Sequence, residues 1–218
     1  MYRVSPARVY GGMTATERGR QRRAQLIDAA VLLMGTRGAA ETTVTAVCKE
    51  AGLTSRYFYE QFRDRDELLR GVADHVFTTL ESTLVGAIVP GVADVGLVAR
   101  APIEALIHLV DEDRVLARIV FVESGAEPIL RSLRNDTLSR MTDLILDKAR
   151  LFFPIEDSAV PVIHLAATMM VGGMSDALRR WLDNEIELSV DQMTEHTSGL
   201  FASAAAYVLT ADAGRHAS

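Results

Sequence analysis

A chain of 218 residues is long enough for one large or two small domains with real cores, and 49% hydrophobic with 24% charged residues is the composition of a soluble globular protein. The single cysteine, Cys48, excludes an internal disulfide, and one free thiol suits a reducing compartment. The net charge of −6 is unevenly spread: residues 1–70 carry a balance of +4 and residues 71–218 one of −10, so the head alone is suited to face a polyanion.

Periodicity is helical nearly throughout. No run alternates with period two and no Asn-Gly or Asp-Gly hairpin turn occurs, so the expected fold is all-α with about nine helices. Residues 1–13, with Pro6 and Gly11-Gly12, are expected to form a disordered arm, and Met13 offers a second candidate start. Thr14 and Glu17 have capping-box spacing for a first helix near Ala15–Thr36, with Ile27, Ala30, Val31 and Met34 on one face and Gly38 as a left-handed stop. Thr43 caps a second helix, Val44–Ala51; Gly52 turns the chain; Thr54 caps a third, Ser55–Phe62. Asp64 with Glu67 reads as a capping box opening a fourth helix, whose apolar face carries Leu68, Leu69, Val72, His75, Val76 and Leu80 before a loop at Val89–Gly96. Further helices are expected near 98–110, 112–124, 128–152, 160–184 and 190–210, the last capped by Ser189 with Gln192.

The second and third helices make a helix-turn-helix. Val47 and Ala51 face Phe58 and Phe62, Leu53 plugs the turn, and Cys48 reads as a buried small hydrophobe. The outward residues are the ones that DNA needs: Ser55, Arg56, Tyr57, Glu60 and Gln61 on the exposed face, with Arg56 suited to guanine, Gln61 to adenine and Tyr57 to a thymine methyl or a phosphate. Thr43, Thr54, Tyr59 and Arg65 sit at helix ends or edges, suited to phosphates. Each alone reads equally as a solvated side chain; the constellation in register carries the specificity. Arg56→Ala is expected to relax base preference, and Arg65→Ala to weaken all sequences alike and flatten the salt dependence.

Residues 16–70 resemble the DNA-binding domain of the TetR (tetracycline repressor-like) family of bacterial regulators. The likeness rests on Ala29-Ala30 and Gly38, on Ala51-Gly52-Leu53-Thr54, on Tyr59 and Phe62, and on Arg65 before Glu67-Leu68. Cys48, Arg65 and Tyr57 depart from the residues common there, and Tyr57 lies where a base reader is expected, so the operator sequence does not carry over. The resemblance implies a DNA-binding domain at 14–70 and a helical effector-binding and dimerisation domain at 71–218.

It also implies a small-molecule pocket in the body and pairing of the last two helices with a second copy. Phe77, His108, Phe121, Met141, Met170 and Met174 are the pocket candidates, although each taken singly suits plain core packing better. His108 and His164 read as core histidines, Asp111-Glu112-Asp113 as a solvated helix junction and Trp181 as an interface or core anchor. Small residues Ala166, Ala167, Gly172 and Gly173, and the stripe Met193, Thr197, Leu200, Phe201, Ala204 and Val208, suit a four-helix dimer contact; the competing reading is that both stripes finish the monomer core.

The expected function is that of a ligand-responsive transcriptional regulator, a repressor released from a palindromic double-stranded operator by a small apolar effector. Rival readings are a helical enzyme, or a non-specific DNA binder, containing a similar segment. No catalytic triad, phosphate-cradling loop or metal-ligand spacing is recognisable, so no enzymatic role, metal or cofactor is expected. The apolar stretch Ala159–Met174 is interrupted by Pro161, His164 and Gly172-Gly173 and is too short to span a bilayer, and no basic-then-apolar leader opens the chain, so a cytoplasmic location is expected.

Overall fold

The structure, a computed structural model, describes residues 14–88, 95–123, 128–153 and 155–213. The expected N-terminal arm and most of the 89–96 loop lie outside the described residues. Among those described, nine α-helices and no strand occur: α1 (Ala15–Arg37), α2 (Val44–Glu50), α3 (Ser55–Tyr59), α4 (Arg65–Gly86), α5 (Val95–Glu112), α6 (Arg114–Phe121), α7 (Pro128–Phe152), α8 (Val160–Leu182) and α9 (Val190–Ala213).

Local chemistry sets most helix starts. The Thr14 hydroxyl accepts from the Glu17 N–H at 3.2 Å while the Glu17 carboxylate accepts from the Thr14 N–H at 2.6 Å. That reciprocal box satisfies two orphan donors and holds the Glu17 carboxyl below its ordinary pKa. Ser189 and Gln192 close the same box at α9, at 3.0 and 3.2 Å. At α4 the box opens out: Asp64 accepts from the Glu67 N–H at 2.8 Å, but Glu67 reaches past the cap to the Arg63 N–H at 2.7 Å. Asp113 caps α6 through the Leu116 N–H at 2.9 Å, so the solvated acidic junction also starts a helix.

Gly38 stops α1, although not as a left-handed helical residue. Its φ of 89° with ψ of 166° is a positive-φ extended conformation open to glycine almost alone, and its N–H still reaches the Met34 carbonyl at 3.0 Å. Gly52, at φ 65°, supplies the expected turn after α2.

The head packs around α1. Its buried stripe is Leu26, Ala29, Ala30, Leu33 and Met34, with Ile27 and Val31 at the edges, one residue round from the expected centre. Phe58 and Phe62 are wholly buried beside Val47, Leu68 and Leu69, their rings 5.6 Å apart. Ala51 and Leu53 pack on the same cluster as partly buried residues.

The 22-residue α4 serves both halves of the molecule. Leu68, Leu69 and Val72 belong to the core around α1, whereas Leu80 and Leu84 face the interior of the body. A second link joins α1 to α6. A Cβ on Gly35 would collide with the Val115 backbone, so glycine permits this approach. The Glu123 carboxylate, beyond α6, accepts from the Ala39 N–H at 2.9 Å and pairs with Arg118 at 3.7 Å.

In the body α9 packs most extensively on α5, and α7 on α8. Trp181 anchors the end of α8: the ring is buried and its indole N–H donates to the Leu188 carbonyl at 2.8 Å. The histidines correct the sequence reading. His75, His108 and His164 are all exposed. Val76, Ile107 and Ile163 hold the buried positions beside them, one residue away and therefore about 100° round the helix.

The α9 stripe divides. Met193 and Val208 are buried, Phe201 is partly buried, and Leu200 is 71% exposed. Thr194 and Ser198 are buried, and among the described residues neither hydroxyl has a partner.

Candidate nucleic-acid interface and interior cavity

The two short helices hold one exposed surface at fixed geometry. The Thr43 hydroxyl caps α2 by accepting from the Ala46 N–H at 3.2 Å, and Thr43 itself is exposed. Thr54 occupies the N-cap of α3 but makes no side-chain cap bond, contrary to expectation. α3 ends at Tyr59 rather than Phe62: the last turn tightens, with the N–H groups of Gln61 and Phe62 sharing the Phe58 carbonyl at 2.9 Å. That turn lets Phe62 follow Phe58 into the core.

Ser55, Arg56, Tyr59 and Glu60 are exposed, the Arg56 side chain at 85%. Arg56 pairs with Glu60 at 3.2 Å, and Arg22 of α1 reaches the same carboxylate at 3.4 Å, so two guanidinium groups offset the one acidic residue on this face. Ser55 also hydrogen-bonds Cys48; burial pushes the Cys48 thiol up and this bond works against the rise.

Tyr57 and Gln61 are half-buried, not free on the outer face. The Arg22 guanidinium covers the Tyr57 ring at 4.0 Å, and the Gln61 amide lies where a Cβ on Gly19 would be 3.8 Å away. The crossing of α1 over α3 turns both toward α1. Arg23 stacks on Phe62 at 4.2 Å and donates to the Gln61 carbonyl at 2.9 Å, pinning the end of α3. Neither Arg22 nor Arg23 stands out in sequence, because their targets lie 35 or more residues away.

Arg65 departs furthest from its expected role. Its Nε donates to the Thr42 carbonyl at 2.8 Å and its Nη2 to the Ala39 carbonyl at 2.6 Å. The guanidinium is a strut that ties the start of α4 to the α1–α2 loop.

The body encloses a cavity of about 300 Å³ between α4, α5, α6, α7, α8 and α9. Phe121, Met141, Met170 and Met174 line it as expected. Phe77 and His108 do not: Phe77 lies in an outer groove under the Arg140 guanidinium, 4.5 Å from its ring, and His108 is exposed. The walls are aliphatic and aromatic, and Thr137, Lys148 and Ser175 are the polar lining residues. Among the described residues, no group of three or more His, Cys, Asp or Glu could hold a metal ion, and no helix is long and apolar enough to cross a membrane.

Residues 26–72, from the buried stripe of α1 to the first turns of α4, match the profile of the bacterial regulatory proteins of the tetR family. Over this segment, which spans the helix-turn-helix, the chain is similar to the tetR family. Solved structures share the architecture of this chain well beyond the head.

A TetR-like transcriptional regulator from Rhodococcus sp. RHA1 is 21% identical and superimposes with a TM-score of 0.59 over 91% of this chain and 99% of its own. The transcriptional regulator FadR from Bacillus subtilis, solved in complex with stearoyl-CoA, is 19% identical with a TM-score of 0.63 over 83% of this chain and 98% of its own. The fatty acid degradation regulator FadR from Bacillus halodurans is 18% identical, with a TM-score of 0.63 over 83% and 94%. At these identities the likeness is one of fold. No curated protein matches the chain.

Proposed function

We propose that this protein is a cytoplasmic, homodimeric repressor of the tetR family, and not an enzyme, released from a palindromic operator by a small apolar effector. The observation that carries the reading is the exposed face of α3 on a braced head, with Ser55 and Arg56 outward and the hydroxyls of Thr43, Thr54 and Tyr59 around them. Arg56 and Ser55 read base edges, and the three hydroxyls and the N–H groups at the helix starts hold phosphates. Tyr57 and Gln61 contribute at the α1 edge of the groove, once Arg22 shifts from the Tyr57 ring to a phosphate. Arg65 acts by fixing the α1–α2 loop. The division into a DNA-binding domain at 14–70 and an effector and dimer domain at 71–218 runs through α4, which is the mechanical link between the two.

A second copy is supported by an exposed apolar face on α8 and α9. Leu165 and Met169 on α8, and Leu200 and Tyr207 on α9, are each 59–71% exposed at helical spacing. Gly172, Gly173 and Gly199 have open space where a Cβ would be, so another helix can approach there. Two-fold pairing sets two α3 helices in successive major grooves about 34–36 Å apart. Effector binding in the cavity favours a state with the wrong head spacing, and each tenfold loss of occupancy needs about 1.4 kcal/mol of preference for that state. B. subtilis FadR, solved with stearoyl-CoA, shares the body fold, which supports an apolar, long-chain occupant.

Footprinting of the DNA beside the protein's own gene is expected to show a protected palindrome, with Arg56→Ala relaxing base preference. Absence of protection at any palindrome there sinks the repressor reading. Leu200→Glu is expected to give a monomer in sedimentation and to lose the footprint.

A further inference from the structure

Arg134 of α7 is half-buried at the edge of the body. Its Nη2 donates to the Ser175 hydroxyl at 3.3 Å, and its Nε is out of solvent with no partner among the described residues. No ion pair to it occurs among the described residues. It borders a void of about 50 Å³ between α1, α4, α6, α7 and α8. That void and the large cavity share a wall made by Val120, Thr137, Leu138 and Ser175.

A guanidinium nitrogen held out of water without a partner is costly, and a nearby carboxylate or bound anion offsets the charge it carries. The Thr137 hydroxyl is committed to the Leu133 carbonyl at 2.9 Å. The Ser175 hydroxyl accepts from Arg134, and among the described residues its own proton has no acceptor. Ser175 lines the large cavity with a hydroxyl proton to spare, and the Arg134 guanidinium lies 3.3 Å from its oxygen. From Thr137 the cavity runs along α7 to Phe152, 15 residues or about 22 Å on, between apolar walls.

We propose that the cavity takes an aliphatic acid, with its carboxylate at Ser175 backed by Arg134 and its chain lying along α7 toward Phe152. The inference rests on the reading that this cavity holds the effector, and adds to it the charge and the orientation of the ligand. Lys148 lines the same cavity 11 residues from Thr137, about 16 Å further along α7, and is the competing anchor. Arg134 is favoured because its Nε is out of solvent and unpartnered, whereas nothing in the structure leaves the ammonium of Lys148 in that state.

Calorimetric titration of the full chain with dodecanoate and with dodecan-1-ol, which differ only at the head, tests this. Wild type is expected to bind dodecanoate at least tenfold more tightly than dodecan-1-ol. Arg134→Met is expected to abolish that preference while leaving dodecan-1-ol affinity within twofold, and to raise the melting temperature of the empty protein by removing an unpaired cation. Ser175→Ala should lose part of the preference, and Lys148→Met should keep it.

Equal binding of acid and alcohol by wild type overturns the proposal without reference to any variant's folding and leaves the effector reading standing. Loss of the preference in Lys148→Met but not in Arg134→Met overturns it by placing the anion at the other end. Binding of neither compound overturns it together with the effector reading.

Discussion

The head and the body of this protein spend their apolar residues differently. In the head, Phe58, Phe62, Val47 and Leu26 are buried to within 1% of full burial, and charged side chains brace the outside: Arg65 on two loop carbonyls, Arg23 on Phe62 and the Gln61 carbonyl. In the body the same chemistry surrounds about 300 Å³ of space. A reader of DNA must hold side chains at fixed positions, and close packing with polar struts does that. A chamber for a guest must leave packing incomplete, and Met141, Met170 and Met174 around it are side chains that adjust to an occupant.

The contrast can be broken by substitution. The largest effect is expected from Phe58→Ala, which empties a fully buried site and should cost about 3–5 kcal/mol with loss of DNA binding, read by chemical denaturation and gel shift. Arg65→Ala comes next. Loss of charged hydrogen bonds to the Ala39 and Thr42 carbonyls should cost about 1.5–3 kcal/mol each way it is measured, by heat or by denaturant. The slope of DNA affinity against salt should stay as in wild type; a slope reduced by about one, with stability intact, would restore the phosphate role that the sequence suggested.

In the body, Met170→Phe adds volume beside empty space and should change stability by less than about 1 kcal/mol, where a filled core would lose more. A large loss in a denaturant titration would show that the chamber is tighter than its volume implies. The smallest effect concerns acid. The backbone N–H of Glu67, and then Arg63, hold the Asp64 carboxyl below its ordinary pKa. A lowered native pKa contributes stability above the unfolded value and loses it as pH falls through the native one. The melting-temperature gap between wild type and Asp64→Ala should therefore be steady from about pH 5 to 8 and close below about pH 4.

The parts of this fold that could be read from sequence are those decided within a turn or two. Thr14 with Glu17 and Ser189 with Gln192 form boxes because every atom involved lies within four residues. The helix-turn-helix was legible for the same reason, since Val47, Gly52, Phe58 and Phe62 are close in sequence. What escaped depends on distant partners. Tyr57 and Gln61 turn toward α1 because α1 crosses α3 there, and Arg65 braces a loop some 25 residues back. In the body four of the six pocket candidates line the cavity, while Phe77 and His108 lie outside it because residue type does not give the rotation of a helix about its axis. The contact of Arg134 with Ser175 spans 41 residues, so no local pattern in the sequence marks it.

Trp181 is the sole tryptophan of the chain. Its buried ring lies at the end of α8, with the Arg114 guanidinium of α6 at 5.9 Å and one indole hydrogen bond to the Leu188 carbonyl. The protein therefore carries its own fluorophore, placed where α6 and α8 meet and far in sequence from the head. Excitation at the tryptophan band reports on the body alone, so events in the chamber can be followed optically in unlabelled protein while DNA is present.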